Sequence, residues 1–112
     1  MLLRRGDIVL ADFDPAQSGE AAATRPAIVI TNNIANELAE VIVVVPLTTN
    51  LERIYPYELM LPNNPTGLDH DSKVQVQYVR HLHKRRIKKP IGYVPPDLME
   101  QIDQRLRTHL GL

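Results

Sequence analysis

The sequence has no cysteine. That removes disulfides, thiolate zinc sites and cysteine nucleophiles. It has no tryptophan, one phenylalanine and four tyrosines, so few side chains are available to stack on nucleic-acid bases. It has no excess of charge: 13 Lys and Arg stand against 13 Asp and Glu, a formal net charge of +0 with His neutral. A bulk polyanion binder is usually basic, so the balance speaks against indiscriminate nucleic-acid binding. Long apolar runs are missing too. The longest, Val41 to Val45 carried through Pro46 to Leu47, is far short of the ~18 residues that suggest a membrane span. Gly6 and Asp7 follow the basic pair Arg4-Arg5 at once, with no apolar stretch of the kind a secretory leader needs. What remains is a chain of 112 residues, 44% hydrophobic. That length suits one domain, by the usual ~100–200 residues per domain, and one core without staples. The expectation is a single domain over residues 1–112, soluble and cytoplasmic.

Nine prolines run from Pro15 to Pro96. Proline is poorly tolerated inside helices and central strands, so it marks off short elements. The chain therefore reads as mostly β. Ile8–Phe13 is a first predicted strand and Ala27–Ile30 a second. Val41–Val45, β-branched and apolar throughout, predicts a central strand. Between the first two lies a loop of about 11 residues, Asp14–Thr24, longer than the usual ~4–6. Asn33–Glu40 suits a short helix or a loop. Tyr57–Leu61 alternates weakly, and Pro62–Gly67 is a turn cluster. Lys73–Val79 alternates at period two and predicts a half-buried strand. Ile91–Val94 is a last short strand. Leu98, Met99, Ile102, Leu106 and Leu110 recur at helical spacing after Pro95-Pro96-Asp97, with Gly111 as a stop. The fold class expected is mostly β with one amphipathic C-terminal helix.

Few constellations carry chemistry. Arg80–Lys89 holds six of the 13 basic residues and no acid; it is either a polyanion-binding strip or a solvated face. His81 and His83 would share a strand face, which is half a metal site without an evident third ligand. His70 between Asp69 and Asp71 is an acid–base group or a solvated loop cluster. His109 suits the negative end of a helix. There is no glycine-rich phosphate loop, zinc-protease helix or nucleophile elbow. Arg25 is more informative. Pro26 holds the preceding residue extended, so the guanidinium stands at a stiff strand entrance. Thr48 stands at the exit of the central strand. Together they could grip a phosphate; singly, each is an ordinary surface or turn residue.

Those residues also carry a resemblance. Arg5-Gly6-Asp7-Ile8-Val9, Asp12-Phe13-Asp14-Pro15, Ser18-Gly19-Glu20, Arg25-Pro26-Ala27-Ile28-Val29-Ile30 and Asn32-Asn33 resemble the N-terminal pattern of the MazF/PemK family of toxin endoribonucleases. The likeness continues through Pro46-Leu47-Thr48, Asp71-Ser72, Val79-Arg80 and Lys84-Arg85-Arg86-Ile87 to the helix from Leu98. It covers nearly the whole chain in order. Two departures stand out. Ala22-Ala23-Thr24 replaces a common pair of glycines before Arg-Pro, which implies a stiffer loop. Gln77-Tyr78 replaces a common acidic residue–Gln pair.

The resemblance implies an SH3-like β-barrel with a C-terminal helix, of the class shared by MazF, PemK and CcdB. It implies a homodimer that cleaves single-stranded RNA without metal or cofactor, and a cognate antitoxin whose acidic tail neutralises it. It implies Arg25 and Thr48 as the catalytic pair, and Ser18, Glu20, Thr24, Thr49, Gln77 and Tyr78 as RNA-binding residues. Tyr78 would either stack on a base or belong to the core. RNA supplies its own nucleophile, the 2′-OH, which agrees with a sequence lacking Cys and cofactor motifs. Two other readings use the same barrel. One is a non-catalytic module acting by protein binding, as a gyrase-type inhibitor or an antitoxin-only binder. The other is a general RNA-binding barrel, weakened by five aromatics.

Overall fold

The computed structural model describes residues 2–13 and 24–112. The strands are β1 (Asp7–Asp12), β2 (Thr24–Val29), β3 (Val41–Thr48), β4 (Leu59–Leu61), β5 (Ser72–Val74), β6 (Arg80–His83) and β7 (Ile87–Tyr93). The helices are α1 (Asn33–Leu38), the irregular turn α2 (Asn63–Thr66) and α3 (Pro96–Leu110). The seven strands form one sheet in the order β4-β5-β3-β2-β1-β7, with β6 also on β3. The five strands β6-β3-β2-β1-β7 make the mostly β, SH3-like part of the architecture.

The alternation of side chains along β1, β2 and β3 explains two cores. Val9, Ala11, Ala27, Val29, Ile42 and Val44 point to one face, where Leu3, Phe13, Leu82 and Ile87 close over them. Ile8, Ile28, Val45 and Leu47 point to the other, against Met99, Ile102 and Leu106 of α3. Both faces are apolar, so a one-residue register slip would exchange the two cores. Met99, Ile102 and Leu106 sit on one side of α3 as their spacing demands. Leu98 is half-buried, but Leu110 is 53% exposed because the helix has run past the sheet. Gly111 ends α3 in the left-handed region, its N–H reaching Arg107 and Thr108 carbonyls.

The Arg5-Gly6-Asp7 motif is a joint. The Arg5 guanidinium donates to the Ile30 carbonyl and grips both oxygens of Asp103 on α3 at 2.6 and 3.2 Å. Gly6 has φ +96°, where a side chain would be strained; its N–H donates to Val29 and its carbonyl accepts from Val94. Asp7 accepts from the Arg4 N–H. Asn32 caps α1 by accepting from the Ala35 N–H, and Asn33 accepts from the Arg5 N–H.

Several expectations are corrected. β2 and β3 run through Pro26 and Pro46 instead of stopping at them. Pro26 lies opposite Leu10 and Pro46 opposite Ala27, and the β2–β3 ladder ends at that second proline. The expected Lys73–Val79 strand is broken: β5 ends at Val74 and Val76–Tyr78 is a 3₁₀ turn. Lys73, taken for the solvent side of that strand, is buried because Glu58 pairs with it. The expected Tyr57–Leu61 strand shortens to Leu59–Leu61, since Glu58 is turned inward by the same pair. The basic strip is β6, a 3₁₀ turn and the first half of β7. Ile91–Val94 is only the end of that last strand.

Candidate RNA-cleaving site

Arg25 lies in β2 opposite Ala11 of β1. On its other side the β2–β3 register pairs Ala27 with Pro46 and Ile28 with Val45. Continued by two residues, that register sets Arg25 across from Thr48, where neither proline supplies an N–H to close the ladder. Both residues line one shallow depression of ≈ 260 Å³ with Pro26, Leu47, Thr49 and Ser72. The guanidinium is exposed. Among the described residues it makes no hydrogen bond or ion pair. The Thr48 hydroxyl accepts from the Asn50 N–H at 3.2 Å, which leaves its own proton to donate.

Two further depressions continue this one. On one side Phe13, Arg25, Pro46, Gln77, Tyr78, Val79 and Arg80 line ≈ 500 Å³. There Tyr78 is 58% exposed and the Arg80 guanidinium lies over the Phe13 ring at 5.4 Å. On the other side Pro26, Thr49 and Ser72 border ≈ 430 Å³ that runs on to Gly67, His70 and Lys89. Among the described residues the three adjoin as one groove, with Arg25 and Thr48 in its middle part and Arg80 and Lys89 in its outer parts. Three cations along a groove suit a phosphate backbone, and a bidentate arginine suits a single phosphate.

One wall of the groove is set by a backbone contact. Gly67, with φ +89°, and Gly92 bring α2 onto β7. A Cβ on Gly92 would lie 1.8 Å from the Thr66 carbonyl oxygen, so only glycine fits there.

The other expected site residues are distributed as follows. Thr49 lines the middle and one end of the groove. Gln77 and Tyr78 line the other end. Thr24 is outside the lining: its hydroxyl donates to Asp12 at 2.6 Å. Ser18 and Glu20 lie outside the described residues, as does most of the Asp14–Thr24 loop. The Gln77 amide nitrogen is engaged with Glu58 at 2.9 Å. Glu58 also accepts from Lys73 at 2.9 Å and from the Tyr55 N–H at 2.9 Å. Burial pushes the Glu58 carboxyl up, but the hydrogen bonds from Gln77, the Tyr55 N–H and Lys73 outweigh it and hold the group below the ordinary range.

The basic strip does not act as one patch. Arg80 and Lys89 reach the groove, while Arg85 and Arg86 line a further depression with Val41, His81 and His83 that meets the groove at Arg80 alone. Lys88 turns to Asp12 at 3.8 Å. His83 accepts from the Arg85 N–H, and no group of three metal-ligating side chains occurs among the described residues. Asp71 is used in a turn, accepting from the Asn63 N–H at 2.8 Å. Sequence reasoning missed Phe13 and Lys89 as groove residues. Their signal was weak: Phe13 reads as the end of a strand, and Lys89 is one cation among six.

Known proteins share this sequence pattern and fold. Residues 4–110 match the family model described as PemK-like, MazF-like toxin of type II toxin–antitoxin system. Endoribonuclease MazF9 of Mycobacterium tuberculosis is 40% identical over 116 residues, covering 99% of this chain and 98% of that protein. A MazE–MazF crystal structure from Deinococcus radiodurans superposes with a TM-score of 0.80 at 26% identity, covering 100% of this chain and 99% of the other. An endoribonuclease from a Mycobacterial species gives 0.81 at 25% identity, over 100% and 94%. With a matching family model over nearly its whole length and a relative at that identity, this chain belongs to the PemK-like, MazF-like toxins of type II toxin–antitoxin systems.

Proposed function

We propose that the protein is an endoribonuclease that cuts single-stranded RNA at Arg25 and Thr48. The observation that carries this reading is the junction of those two side chains in one depression, with Arg25 unpaired among the described residues. The 2′-oxygen attacks the adjacent phosphorus as its hydroxyl proton passes to water, the bond from phosphorus to O5′ breaks, and O5′ takes up a proton from water, so that none is gained or lost overall. The products are a 2′,3′-cyclic phosphate and a 5′-hydroxyl. Arg25 stabilises charge on the equatorial oxygens, as cations do in phosphoryl transfer. An arginine is protonated at all working pH, so charge and orientation are its main contribution. Thr48 donates a hydrogen bond from its hydroxyl to a phosphate oxygen. Neither step calls on a metal or cofactor.

Thr49 and Tyr78 bind flanking nucleotides from their places along the groove, with Ser18 and Glu20 completing the set; Gln77 and Thr24 act by shape, since Glu58 holds the Gln77 amide and Asp12 the Thr24 hydroxyl. A cognate antitoxin with an acidic tail occupies the same groove, attracted by Arg25, Arg80 and Lys89. The protein works as a cytoplasmic homodimer. No helix of the described residues is long and apolar enough to cross a membrane. A purely protein-binding barrel finds no support in a site whose arginine–threonine pair is intact.

The test is incubation of single-stranded RNA with the protein in EDTA, beside Arg25→Ala and Thr48→Ala variants. New 5′-hydroxyl ends with the parent protein alone are expected. Uncut RNA, or equal cutting by Arg25→Ala, would sink the reading. DNA of the same sequence, lacking the 2′-OH, binds and stays whole.

A further inference from the structure

The polar cluster around Glu58 stands apart from Arg25 and Thr48, yet it holds Gln77, which lines one end of the groove, and Lys73, which lies opposite Thr48 in the ladder. Glu58 is 2% exposed and Lys73 is 7% exposed. One carboxylate oxygen of Glu58 takes the Lys73 ammonium at 2.9 Å and the Tyr55 N–H at 2.9 Å. The other takes the Gln77 amide nitrogen at 2.9 Å. Lys73 also donates to the Arg53 carbonyl at 2.6 Å. The Glu58 carbonyl accepts from Arg105 of α3 at 2.8 Å.

These partners have definite places. Lys73 is directly opposite Thr48 in the β3–β5 ladder. Gln77 is the middle residue of the 3₁₀ turn that presents Tyr78 to the groove. The Arg53–Tyr55 segment leads away from Thr48 on the chain. A buried pair of charges is poor evidence of stability, because desolvation opposes the attraction. Apolar residues would serve packing as well. What the pair supplies is direction: one carboxylate fixes three separate stretches of backbone at hydrogen-bond precision.

We propose that Glu58 is a positioning residue for RNA cleavage, tying the Thr48 strand pair to the Gln77–Tyr78 turn and thereby setting which nucleotides the groove accepts beside the cut. This rests on the endoribonuclease reading. Without the tie, the turn carrying Tyr78 moves relative to Thr48. Misplacement of ~1 Å at such a distance can cost ~10²-fold in rate, and it does so unequally for substrates that depend on Tyr78. Glu58 itself does not reach the groove.

Two variants separate positioning from mere stability. Glu58→Gln keeps the shape and removes the charge. The double variant Glu58→Leu with Lys73→Met replaces the ion pair by apolar side chains, an exchange that is often neutral or better for folding, and deletes the link to Gln77. Both are given a long RNA of mixed sequence, and the 5′-hydroxyl ends are mapped and counted; kcat and KM are measured on one preferred and one disfavoured oligonucleotide. Loss of folded protein lowers cleavage of all sites alike. Loss of positioning changes their ratio. The expected result is a fall of about tenfold or more in the ratio of preferred to disfavoured cleavage, carried by kcat on the preferred site. Unchanged ratios in both variants overturn the proposal, whatever their overall activity. If the parent protein cuts no RNA, the endoribonuclease reading fails first, and the two failures are told apart by that control.

Discussion

Arg5 and Arg25 both belong to the motifs that mark this family, and the structure uses them in opposite ways. Arg5 is engaged through all three of its nitrogens, on the Ile30 carbonyl and on both oxygens of Asp103. Arg25 is exposed and makes no such contact among the described residues. One arginine joins the strands to α3; the other waits beside Thr48. Residue type and motif membership are the same in both cases, so they do not separate scaffold from chemistry. What separates them is whether the folded chain has already satisfied the five donors of the side chain.

The sharpest way to break the contrast is Arg25→Ala. Loss of a cation acting on a transferring phosphoryl group typically costs ~10³–10⁵ in kcat. The melting temperature should stay near the parent value, because no hydrogen bond or ion pair among the described residues is removed; a large fall in melting temperature would show that Arg25 is a scaffold residue after all. Thr48→Ala should follow with a loss of ~10²–10³, measured as kcat on the same oligonucleotide. It also removes the acceptor for the Asn50 N–H, so a small loss of stability accompanies it. Arg5→Ala should do the reverse. The Arg5–Asp103 pair is about a third exposed, so it sits near the low end for charged hydrogen bonds, about 1 kcal/mol. That is several degrees in melting temperature for a domain of this size, with kcat/KM per folded molecule unchanged.

The smallest effect concerns acid. The folded Glu58 carboxyl lies below its ordinary 4.5. Its ionisation therefore adds stability that is fully present above about 4.5 and is lost as pH falls through the lower, folded value. Denaturant titrations of the parent and of Glu58→Gln should thus differ at neutral pH and converge in acid. A constant difference down to the lowest pH would show that the carboxylate is not held in its charged form.

The same contrast explains what the sequence could and could not tell. β1, the cores of β2 and β3, and α3 were legible because their apolar residues recur at the period of the element. The ends of β2 and β3 were not, since Pro26 and Pro46 look like breaks; each is tolerated because an antiparallel neighbour does not demand every N–H. β6 was hidden because Leu82 is a single buried residue between His81 and His83. Lys73 misled most. It looks like the wet side of an alternating strand, and its partner Glu58 is fifteen residues away, a pairing that no local pattern announces. Of the site, Arg25 and Thr48 were legible through the stiff proline positions beside them and the family likeness. Tyr78 was open between core and groove, and its exposure puts it on the groove. The engagement of Thr24 with Asp12 was not legible, because it depends on the β1–β2 register.

The close approach at Gly92 has a consequence for how such a groove can be altered. The wall that follows α2, residues 67–70, is placed where the main chain of Gly92 lies against that of Thr66 and Gly67. Its height is therefore set apart from what the exposed residues Asp69 and His70 are. Those positions can be exchanged like type on a fixed bed, changing what the wall offers to a ligand while the bed keeps its level. Gly92→Ala would lift the bed itself, and every contact made on that side would be lost together.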